Sequence, residues 1–332
     1  MHQVFRFAIP GAPLPSVHEW EASFPLVLEH EGADVTLSDA VGWLQRHARD
    51  LSAAASRCGA VAIRGLPLVT ADDFDAAVRA FGWPNFPYAE SLSNAVRTSL
   101  TPRVFTANEA PSEATIGLHH EMAQTPVHPS RLFFFCEKAA DEGGATSLCR
   151  SDHLHDRLLE AEPAFVADCA AYGLRYSLVM PPEDDPASPV GRSWRGTFGC
   201  DDRAAVEARM SALGYEWEWL GDESLRTTTP VLPAVKDLGD GRRSLFNQLI
   251  AARSWKDARN APRTAVRFGN GRALPDEAWA AVGELAADGI HDLEWQRGDL
   301  ALVDNFVTLH GRRRFEGTRR VLASLVPADA DA

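Results

Sequence analysis

The amino-acid sequence predicts a mixed α+β protein with a β core and helices around it. Two observations support this fold class. Short runs of β-branched and aromatic residues alternate with amphipathic helical patterns along the chain. In addition, the continuous apolar run at 132–135 has the length of a strand that is buried on both faces.

The elements of the first part of the chain carry their own start and stop signals. Residues 36–57 form the first predicted helix, with Asp39 near its start and Gly59 as its stop. A strand over 60–64 follows, and residues 70–74 have the composition of a capped helix start.

The middle of the chain predicts strands followed by an insertion. Between 108 and 137 we expect loops and barrel strands, and we interpret the phenylalanine run 132–135 as core rather than as a cofactor site. Apolar residues at helical spacing over 152–172 and 201–213 predict helices. They belong to a helical or lid insert at approximately 152–230, between barrel strands.

Within this insert, the proline-rich segment 180–186 is a candidate lid, since its prolines forbid regular structure. Strand character then returns at 243–250 and 292–302, with a helix near 275–287 between them. We interpret the whole chain, 1–332, as one elaborated domain.

Composition excludes several classes of protein. The 332 residues include 45% hydrophobic residues, enough for a sizeable core. A net charge of −13 argues against a nucleic-acid partner. The sequence shows no signal peptide and no membrane-span pattern, and its five dispersed cysteines suit a reducing compartment. Composition and length therefore agree with a cytoplasmic enzyme, and homo-oligomer formation stays open.

Three side chains are candidate metal ligands. His119 and Glu121 are two residues apart, so on a β-strand they would project from one face and could bind one ion together. His310 follows a turn and a strand-like run late in the chain and is the candidate third ligand. Two histidines and one carboxylate form the facial triad of non-haem Fe(II) oxygenases. A ligand from so distant a strand suits a barrel.

A His-x-Glu triplet alone is weak evidence, since such triplets also occur in surface turns. The context is more specific. The segments 118–124, 129–136 and 143–146, together with His310-Gly311-Arg312 and the run 319–322, resemble the taurine dioxygenase and clavaminate synthase-like family. The resemblance extends in order from about Gly59 to the C-terminus.

The resemblance implies a double-stranded β-helix, also called a jelly roll or cupin-like fold, with flanking helices. It further implies an Fe(II)- and 2-oxoglutarate-dependent dioxygenase, with dioxygen as the second cosubstrate. By family alignment Arg320 binds the far carboxylate of 2-oxoglutarate, and Thr146 donates a hydroxyl to the same group. On a strand Arg319 and Arg320 must face opposite sides, and parity alone cannot choose between them.

Two further residues narrow the activity that the resemblance implies. Glu121 occupies the ligand position that halogenating relatives leave free for chloride, which argues against halogenation. Taurine dioxygenase has an arginine for its sulfonate substrate four residues after the cosubstrate arginine. With Arg320 in that role, the position is Ser324, so we do not expect taurine as the substrate.

Substrate contacts are predicted from position only. Segments that flank the metal motif nominate Phe105, Asn108, Glu109, Met122 and Gln124, and a strand opposite the iron nominates Asn247 and Arg253. Arg253 could supply a carboxylate anchor.

The favoured activity is hydroxylation, desaturation or cyclisation of a small polar molecule such as an amino acid or its derivative. Two alternatives remain. One is a cupin-like barrel that binds a metal or ligand without oxygenase turnover, and the other is a zinc hydrolase or isomerase with the same triad.

Overall fold

Two β-sheets that pack face to face form the core of the chain. The computed structural model describes residues 4–9, 14, 23–32, 35–93, 95–107, 110–188 and 190–328. The strands are β1 (Val4–Phe7), β2 (Leu26–His30), β3 (Ala60–Arg64), β4 (Phe105–Thr106), β5 (Ile116–His119), β6 (Pro129–Lys138), β7 (Glu142–Gly143), β8 (Thr146–Arg150), β9 (Leu174–Met180), β10 (Glu216–Trp219), β11 (Leu225–Thr228), β12 (Lys236–Asp237), β13 (Arg243–Ser244), β14 (Val266–Phe268), β15 (Ile290–Leu293), β16 (Leu300–Asp304), β17 (Thr308–Arg312), β18 (Phe315–Glu316) and β19 (Arg320–Pro327).

Helices lie around these strands. They are α1 (Leu37–Cys58), α2 (Ala71–Arg79), α3 (Ser151–Ala161), α4 (Pro163–Tyr172), α5 (Trp194–Phe198), α6 (Arg203–Ala212), α7 (Leu249–Ala252), α8 (Pro262–Ala265) and α9 (Asp276–Ala287). A short 3₁₀ helix covers Tyr88–Glu90. Among the described residues, no helix is both long and apolar enough to cross a membrane.

The sheet order brings distant parts of the chain together. The larger sheet has seven strands in the order β1-β2-β3-β16-β6-β19-β4, and the smaller has four in the order β15-β8-β17-β5. A further four-stranded sheet, β10-β11-β9-β14, belongs to the segment between β8 and β15. Because β6 pairs with β16 and β19, the phenylalanine run lies at the centre of the larger sheet.

The phenylalanine run is buried on both faces of that sheet, as its sequence predicts. Phe133 and Phe135 point to the outer face, where they pack in one cluster with residues of α1 and α2. Leu132, Phe134 and Cys136 point to the inner face, into the layer between the two sheets. Alternate side chains of one strand therefore belong to two different cores.

The smaller sheet has a second helical layer on its outside. Leu118 of β5, Cys149 of β8 and Leu309 of β17 pack there with residues of α3, α4 and α9. The inner faces of both sheets thus stay free to line a site between them.

The helix signals in the sequence correspond to real caps. Thr36 and Asp39 form a capping box at the start of α1, and Gly59 ends that helix with a φ of 84°. Thr70 and Asp73 form the same box at the start of α2.

Several predicted elements have different boundaries in the structure. The predicted helix over 152–172 is two helices, because the chain bends at Glu162 before Pro163. The predicted strand at 243–250 is short, since only β13 is extended and the chain turns into α7. The predicted strand at 292–302 is interrupted by a turn in which Asp299 N donates to Gln296 O.

Candidate active site

The structure brings the three predicted metal ligands together. One ligand atom each from His119, Glu121 and His310 lies within 4.8 Å of the others, and all three residues are buried or half-buried. The two imidazole rings are 4.3 Å apart between centroids, and His310 Nε2 is 3.6 Å from Glu121 Oε2. The cluster lies between the two sheets, at the end of β5.

Strand pairing explains why these residues meet. β17 pairs with β5 in antiparallel fashion, with His310 directly opposite His119. The expectation that His119 and Glu121 share one strand is wrong in detail, since β5 ends at His119 and Glu121 lies in the turn after it. The carboxylate nevertheless reaches the two imidazoles from this turn.

Asn305 holds this turn in place. Glu121 N donates to Asn305 Oδ1 at 2.8 Å, and Asn305 Nδ2 donates to Glu121 O at 3.0 Å and to Pro129 O at 2.8 Å. Asn305 is fully buried in the loop between β16 and β17. A single side chain therefore satisfies three backbone groups and couples the Glu121 turn to the strand that carries His310.

The protonation states suit metal binding. Burial and the neighbouring His310 lower the pKa of His119 to about 4, so its imidazole is neutral at pH 7. Burial opposes ionisation of Glu121, but Arg97 and His310 outweigh it and hold the pKa of Glu121 well below its usual range. A neutral imidazole and an ionised carboxylate are the forms that bind a divalent metal.

The donor set fits Fe(II). Gly117 O accepts from His119 Nδ1 at 2.8 Å, which leaves Nε2 of that ring for a metal. His310 Nδ1 is buried and has no hydrogen-bond partner among the described residues. Two nitrogen donors and one anionic oxygen donor from a buried cluster match the facial triad of non-haem iron.

Arg319 and Thr146 form the polar end of a cavity beside this cluster. The cavity is lined by His119, His310, Thr146 and Arg319 together. Arg319 Nε donates to Gly144 O at 2.7 Å, and its Nη2 donates to Thr146 Oγ1 at 3.4 Å. Burial lowers the pKa of Arg319 to about 10, so the guanidinium keeps its charge at pH 7.

The glycine pair of the Gly143-Gly144 turn makes room for this guanidinium. Gly144 has a φ of 74°, and a Cβ at this position would lie 2.9 Å from Arg319 Cδ. Glycine at this position therefore serves the arginine as well as the turn, because the Cβ of any other residue would be too close to Arg319. Trp295 Nε1 donates to Thr146 Oγ1 at 2.9 Å and fixes that hydroxyl.

The prediction that Arg320 faces the cavity is wrong. Arg320 is exposed, and its Nε pairs with Glu137 Oε2 at 2.7 Å on the far side of the sheet. Val321 and Ala323 face the layer between the sheets, so strand alternation turns Arg319 inward and Arg320 outward. The position four residues after the inward arginine is therefore Ala323 rather than Ser324, and it too carries no charge.

The interpretation of the phenylalanine run as core alone also needs correction. Phe134 lines the cavity, and its ring centroid is 5.4 Å from that of His310. It is an apolar wall of the site that also belongs to the inner core.

A second cavity of about 120 Å³ opens on the other side of Glu121. Gln124 lines this cavity, as predicted for a substrate contact. Phe105 is buried beneath the guanidinium of Arg97 and does not reach the cavity. Met122 and Asn247 are buried outside its lining.

The predicted substrate contact Arg253 is not part of this site. Arg253 is exposed, lies over the Trp279 ring and lines a separate surface cavity. Asn108 and Glu109 lie outside the described residues.

Sequence reasoning missed Arg97 and Asn305. Arg97 Nη2 donates to both Glu121 oxygens, at 3.2 and 3.1 Å. No signal in the sequence marks Arg97, a single arginine in a loop. Asn305 follows a predicted strand immediately, where a buried asparagine between Asp304 and Phe306 could have indicated a turn with a fixed amide.

Sequence relatives agree with this site. The model of the family described as "Taurine catabolism dioxygenase TauD, TfdA family" matches residues 21–325. A clavaminate synthase-like protein of Arabidopsis thaliana is 39% identical over 321 residues, which cover 94% of this chain and 97% of that protein. The dapdiamide synthesis protein DdaC of Enterobacter agglomerans is 27% identical over 286 residues, which cover 82% of this chain and 83% of that protein.

Solved structures share the fold. An asparagine oxygenase in complex with Fe(II), 3-hydroxyasparagine and succinate matches with a TM-score of 0.54 at 14% identity, covering 88% of this chain and 83% of that chain. A taurine dioxygenase from Burkholderia xenovorans matches with a TM-score of 0.50 at 15% identity, covering 86% and 81%. The family resemblance of the motifs is confirmed. The chain belongs to the TauD/TfdA family and is an Fe(II)- and 2-oxoglutarate-dependent dioxygenase.

Proposed function

We propose that the enzyme hydroxylates, desaturates or cyclises a small polar molecule such as an amino acid or its derivative. In this proposal His119, Glu121 and His310 hold the iron, and Arg319 with Thr146 holds the far carboxylate of 2-oxoglutarate. The observation that carries the assignment is one cavity lined by both imidazoles, the Thr146 hydroxyl and the buried Arg319 guanidinium. A metal site alone has no use for such a cation.

Each side chain then has a definite task. Fe(II) with 2-oxoglutarate supplies the activation of dioxygen and the removal of a hydrogen atom from a substrate C–H bond. The protein holds two imidazoles and one carboxylate in place, with Gly117 O accepting from His119 and Asn305 holding the turn of Glu121. Arg319 offers a charged fork to a carboxylate, and Trp295 keeps the Thr146 hydroxyl in place. Phe134 excludes water from the His310 side.

The second cavity supports a small, polar substrate. Its volume of about 120 Å³ is below the roughly 300–1,000 Å³ of pockets for drug-sized ligands. Polar side chains in its wall, besides Arg97 and Glu121, are Ser93, Thr115, Gln124, Gln248 and Ser254. The relative DdaC is named for dapdiamide synthesis, which agrees with a substrate of this polarity.

We also propose the finer architecture that the family resemblance implies. The two facing sheets would be the walls of a double-stranded β-helix, within one domain that spans 1–332. The segment 152–230 would be its insert, because the chain leaves the smaller sheet after β8 and re-enters it at β15. Val190 of this segment lines the second cavity. A cytoplasmic location is supported by five cysteines that form no disulfide.

Anaerobic titration of the enzyme with Fe(II) and 2-oxoglutarate tests the proposal. Bidentate binding of the keto acid to iron is expected to give a charge-transfer absorption band that saturates at one equivalent of metal. Oxygen uptake should then depend on 2-oxoglutarate. If no band develops, the cosubstrate assignment is wrong.

The variant Glu121→Ala tests the ligand assignment. Loss of the one anionic ligand should abolish the band or reduce metal affinity by about 10- to 100-fold or more. Glu160→Ala, which removes an exposed glutamate of α3, is the matched control and should bind iron normally. Wild-type iron affinity in Glu121→Ala would contradict the assignment.

A further inference from the structure

Arg97 is a buried cation at the boundary between the two cavities. Its side chain is 6% exposed, and it lines two cavities. One is the cavity that contains Arg319 and Thr146, which we call the cosubstrate cavity, and the other is the second cavity. One nitrogen, Nη2, donates to both oxygens of Glu121. The guanidinium carbon lies 5.0 Å from the centre of the Tyr88 ring and 5.5 Å from that of Phe105. These aromatic contacts hold the group in one place at the cavity wall.

The hydrogen-bonding capacity of Arg97 is only partly used. Its Nε is buried and has no hydrogen-bond partner among the described residues, although a guanidinium offers five N–H donors. Leaving such a donor unsatisfied away from water is costly. The free donor indicates that an acceptor from a ligand completes the site.

The charges in the wall of the second cavity indicate which kind of acceptor would bind Arg97. Of the described residues that line the second cavity, Arg97 and Glu121 alone carry a full charge at pH 7, and they neutralise each other. Glu121 is also a metal ligand, so its negative charge would be divided between the metal and Arg97. A buried guanidinium whose one carboxylate partner is shared in this way favours a second anion beside it.

Gln124 supplies an independent sign of a ligand in the same cavity. Gln124 is 5% exposed, and its Oε1 is buried without a hydrogen-bond partner in the part of the chain that the structure describes. Gln248, a neighbour in the same wall, directs its Nε2 to His120 O at 2.9 Å. Arg97 and Gln124, which both line the second cavity, thus each carry a buried polar atom that has no partner among the described residues. Glu121 is the one acidic side chain in its wall among the described residues, and Arg97 already pairs with it, so we match Gln124 with a neutral N–H donor.

We propose that Arg97 and Gln124 form the substrate-recognition site, in which Arg97 binds a carboxylate of the substrate and Gln124 Oε1 accepts from a neutral N–H beside that carboxylate. The substrate class is a small carboxylic acid with an amide or similar N–H, and cationic molecules are excluded. Arg97 also keeps the substrate carboxylate next to Glu121. One side chain therefore positions both the substrate and a metal ligand. This inference rests on the proposed function and names the substrate class for that site.

The test uses an enzyme that binds but does not turn over. Mn(II) replaces iron, N-oxalylglycine replaces 2-oxoglutarate, and binding of both is first measured by calorimetry. N-acetylglycine is the probe, and N-acetylglycinamide is the uncharged control of nearly identical shape. Relaxation of the acetyl methyl protons by bound Mn(II) is then measured by NMR, normalised to the bound metal.

The wild-type enzyme is expected to relax the carboxylate probe at least about tenfold more strongly than the amide, as a charge-assisted hydrogen bond predicts. Arg97→Gln should remove this preference, and Arg97→Lys should retain part of it because it keeps the charge. Arg253→Gln removes the same charge from the surface position outside the cavity and should leave the preference unchanged.

A second probe pair tests Gln124. O-acetylglycolate has an ester oxygen where N-acetylglycine has its N–H, so the wild type should relax it several-fold less. Gln124→Leu should make the two probes equal.

The outcomes separate the two proposals. Failure to bind Mn(II) or N-oxalylglycine would contradict the proposed function. Normal binding of both, with equal relaxation of acid and amide or with none, would overturn the role of Arg97. The wild-type probe comparison needs no variant, so it decides the matter even if Arg97→Gln does not fold.

Discussion

Arg319 and Arg320 are adjacent arginines, yet the larger sheet turns their guanidinium groups to opposite sides. Arg319 is hydrogen-bonded to Gly144 O and Thr146 Oγ1 inside the cavity. Arg320 is paired with Glu137 near solvent. Arginine therefore serves to bind a ligand at position 319, whereas at position 320 it forms only a partly exposed ion pair.

Substitution of the two arginines by glutamine should separate these tasks. Arg319→Gln is expected to raise the Kd of 2-oxoglutarate about 10- to 100-fold, because a charge-assisted hydrogen bond is lost. Arg320→Gln should change it less than about threefold, since its half-exposed ion pair contributes little. Anaerobic titration of the iron-loaded enzymes measures both values. A larger effect from Arg320→Gln would show that the inward arginine is misassigned.

At the scale of elements, the turn between β7 and β8 shapes the cosubstrate cavity. Gly143 and Gly144 both have positive φ, and the turn brings Gly144 O to Arg319. Its sequence signal is strong because only glycine adopts this conformation without strain. What the glycine makes room for is visible only when β19 lies beside it.

Gly144→Ala should weaken cosubstrate binding for this reason. The added Cβ would lie 2.9 Å from Arg319 Cδ, so we expect the arginine to shift and the Kd of 2-oxoglutarate to rise about tenfold or more. Gly82→Ala is the matched control, because Gly82 also has a positive φ of 73° but a Cβ there meets nothing within 4 Å.

Both variants should lose about 1–2 kcal/mol of unfolding free energy from backbone strain, measured by urea denaturation. Only Gly144→Ala should lose cosubstrate affinity. Equal affinity of the two variants would mean that the turn does not position Arg319.

At the scale of the whole molecule, buried charges tie the layers together. Asp152 at the start of α3 accepts from Arg150 Nε at 2.7 Å and from Arg242 Nη1 at 2.9 Å. Arg242 precedes β13, so the carboxylate connects the smaller sheet and its helical cover to the β12–β13 hairpin. Burial opposes ionisation of Asp152, but the two arginines outweigh it and lower its pKa below 3.8.

Asp152→Asn should therefore destabilise the fold in a pH-dependent way. At pH 7 we expect a loss of about 3 kcal/mol in unfolding free energy, because the buried Arg150 and the partly exposed Arg242 lose this carboxylate. Since the folded-state pKa is depressed, the wild-type advantage is full above about pH 4 and disappears as the pH falls through the folded pKa.

Urea unfolding of wild type and variant between pH 3 and 7 measures this difference. Asp240→Asn, which removes a half-exposed carboxylate from the same Arg242, should cost less than about 1 kcal/mol. A difference between wild type and Asp152→Asn that is constant with pH would contradict the assignment.

The cysteines report on burial across the molecule. Burial raises the pKa of Cys136, Cys149 and Cys169 to about 12, and Cys58 is also buried, whereas Cys200 is half-buried. A thiol reagent such as DTNB at pH 8 should therefore label one cysteine in the native enzyme and all five after unfolding. Cys200→Ser should abolish native labelling. Fast labelling of a second thiol would show that a core layer opens.

Local sequence was sufficient for much of this protein. The capping boxes at Thr36 and Thr70 and the stop at Gly59 depend on neighbours within a few residues, so they could be predicted directly. The two histidines and the carboxylate could be nominated because their residue types match the chemistry of iron. The turn glycines could be recognised from their motif alone. Strand ends near residues 121, 250 and 296 could not be placed, because pairing with distant strands decides them.

The sequence by itself determined the ligand types, the family and the local starts and stops, since each depends on short-range chemistry. Only the tertiary structure decided that Arg319 rather than Arg320 faces the cavity. Side chains alternate between the two faces of a strand, but which face is the inner one is known only when a second sheet covers it. It alone paired Arg97 with Glu121 and left Arg253 on the surface. Such contacts join side chains from loops with no common pattern, and burial is what makes their unpaired donors and acceptors significant.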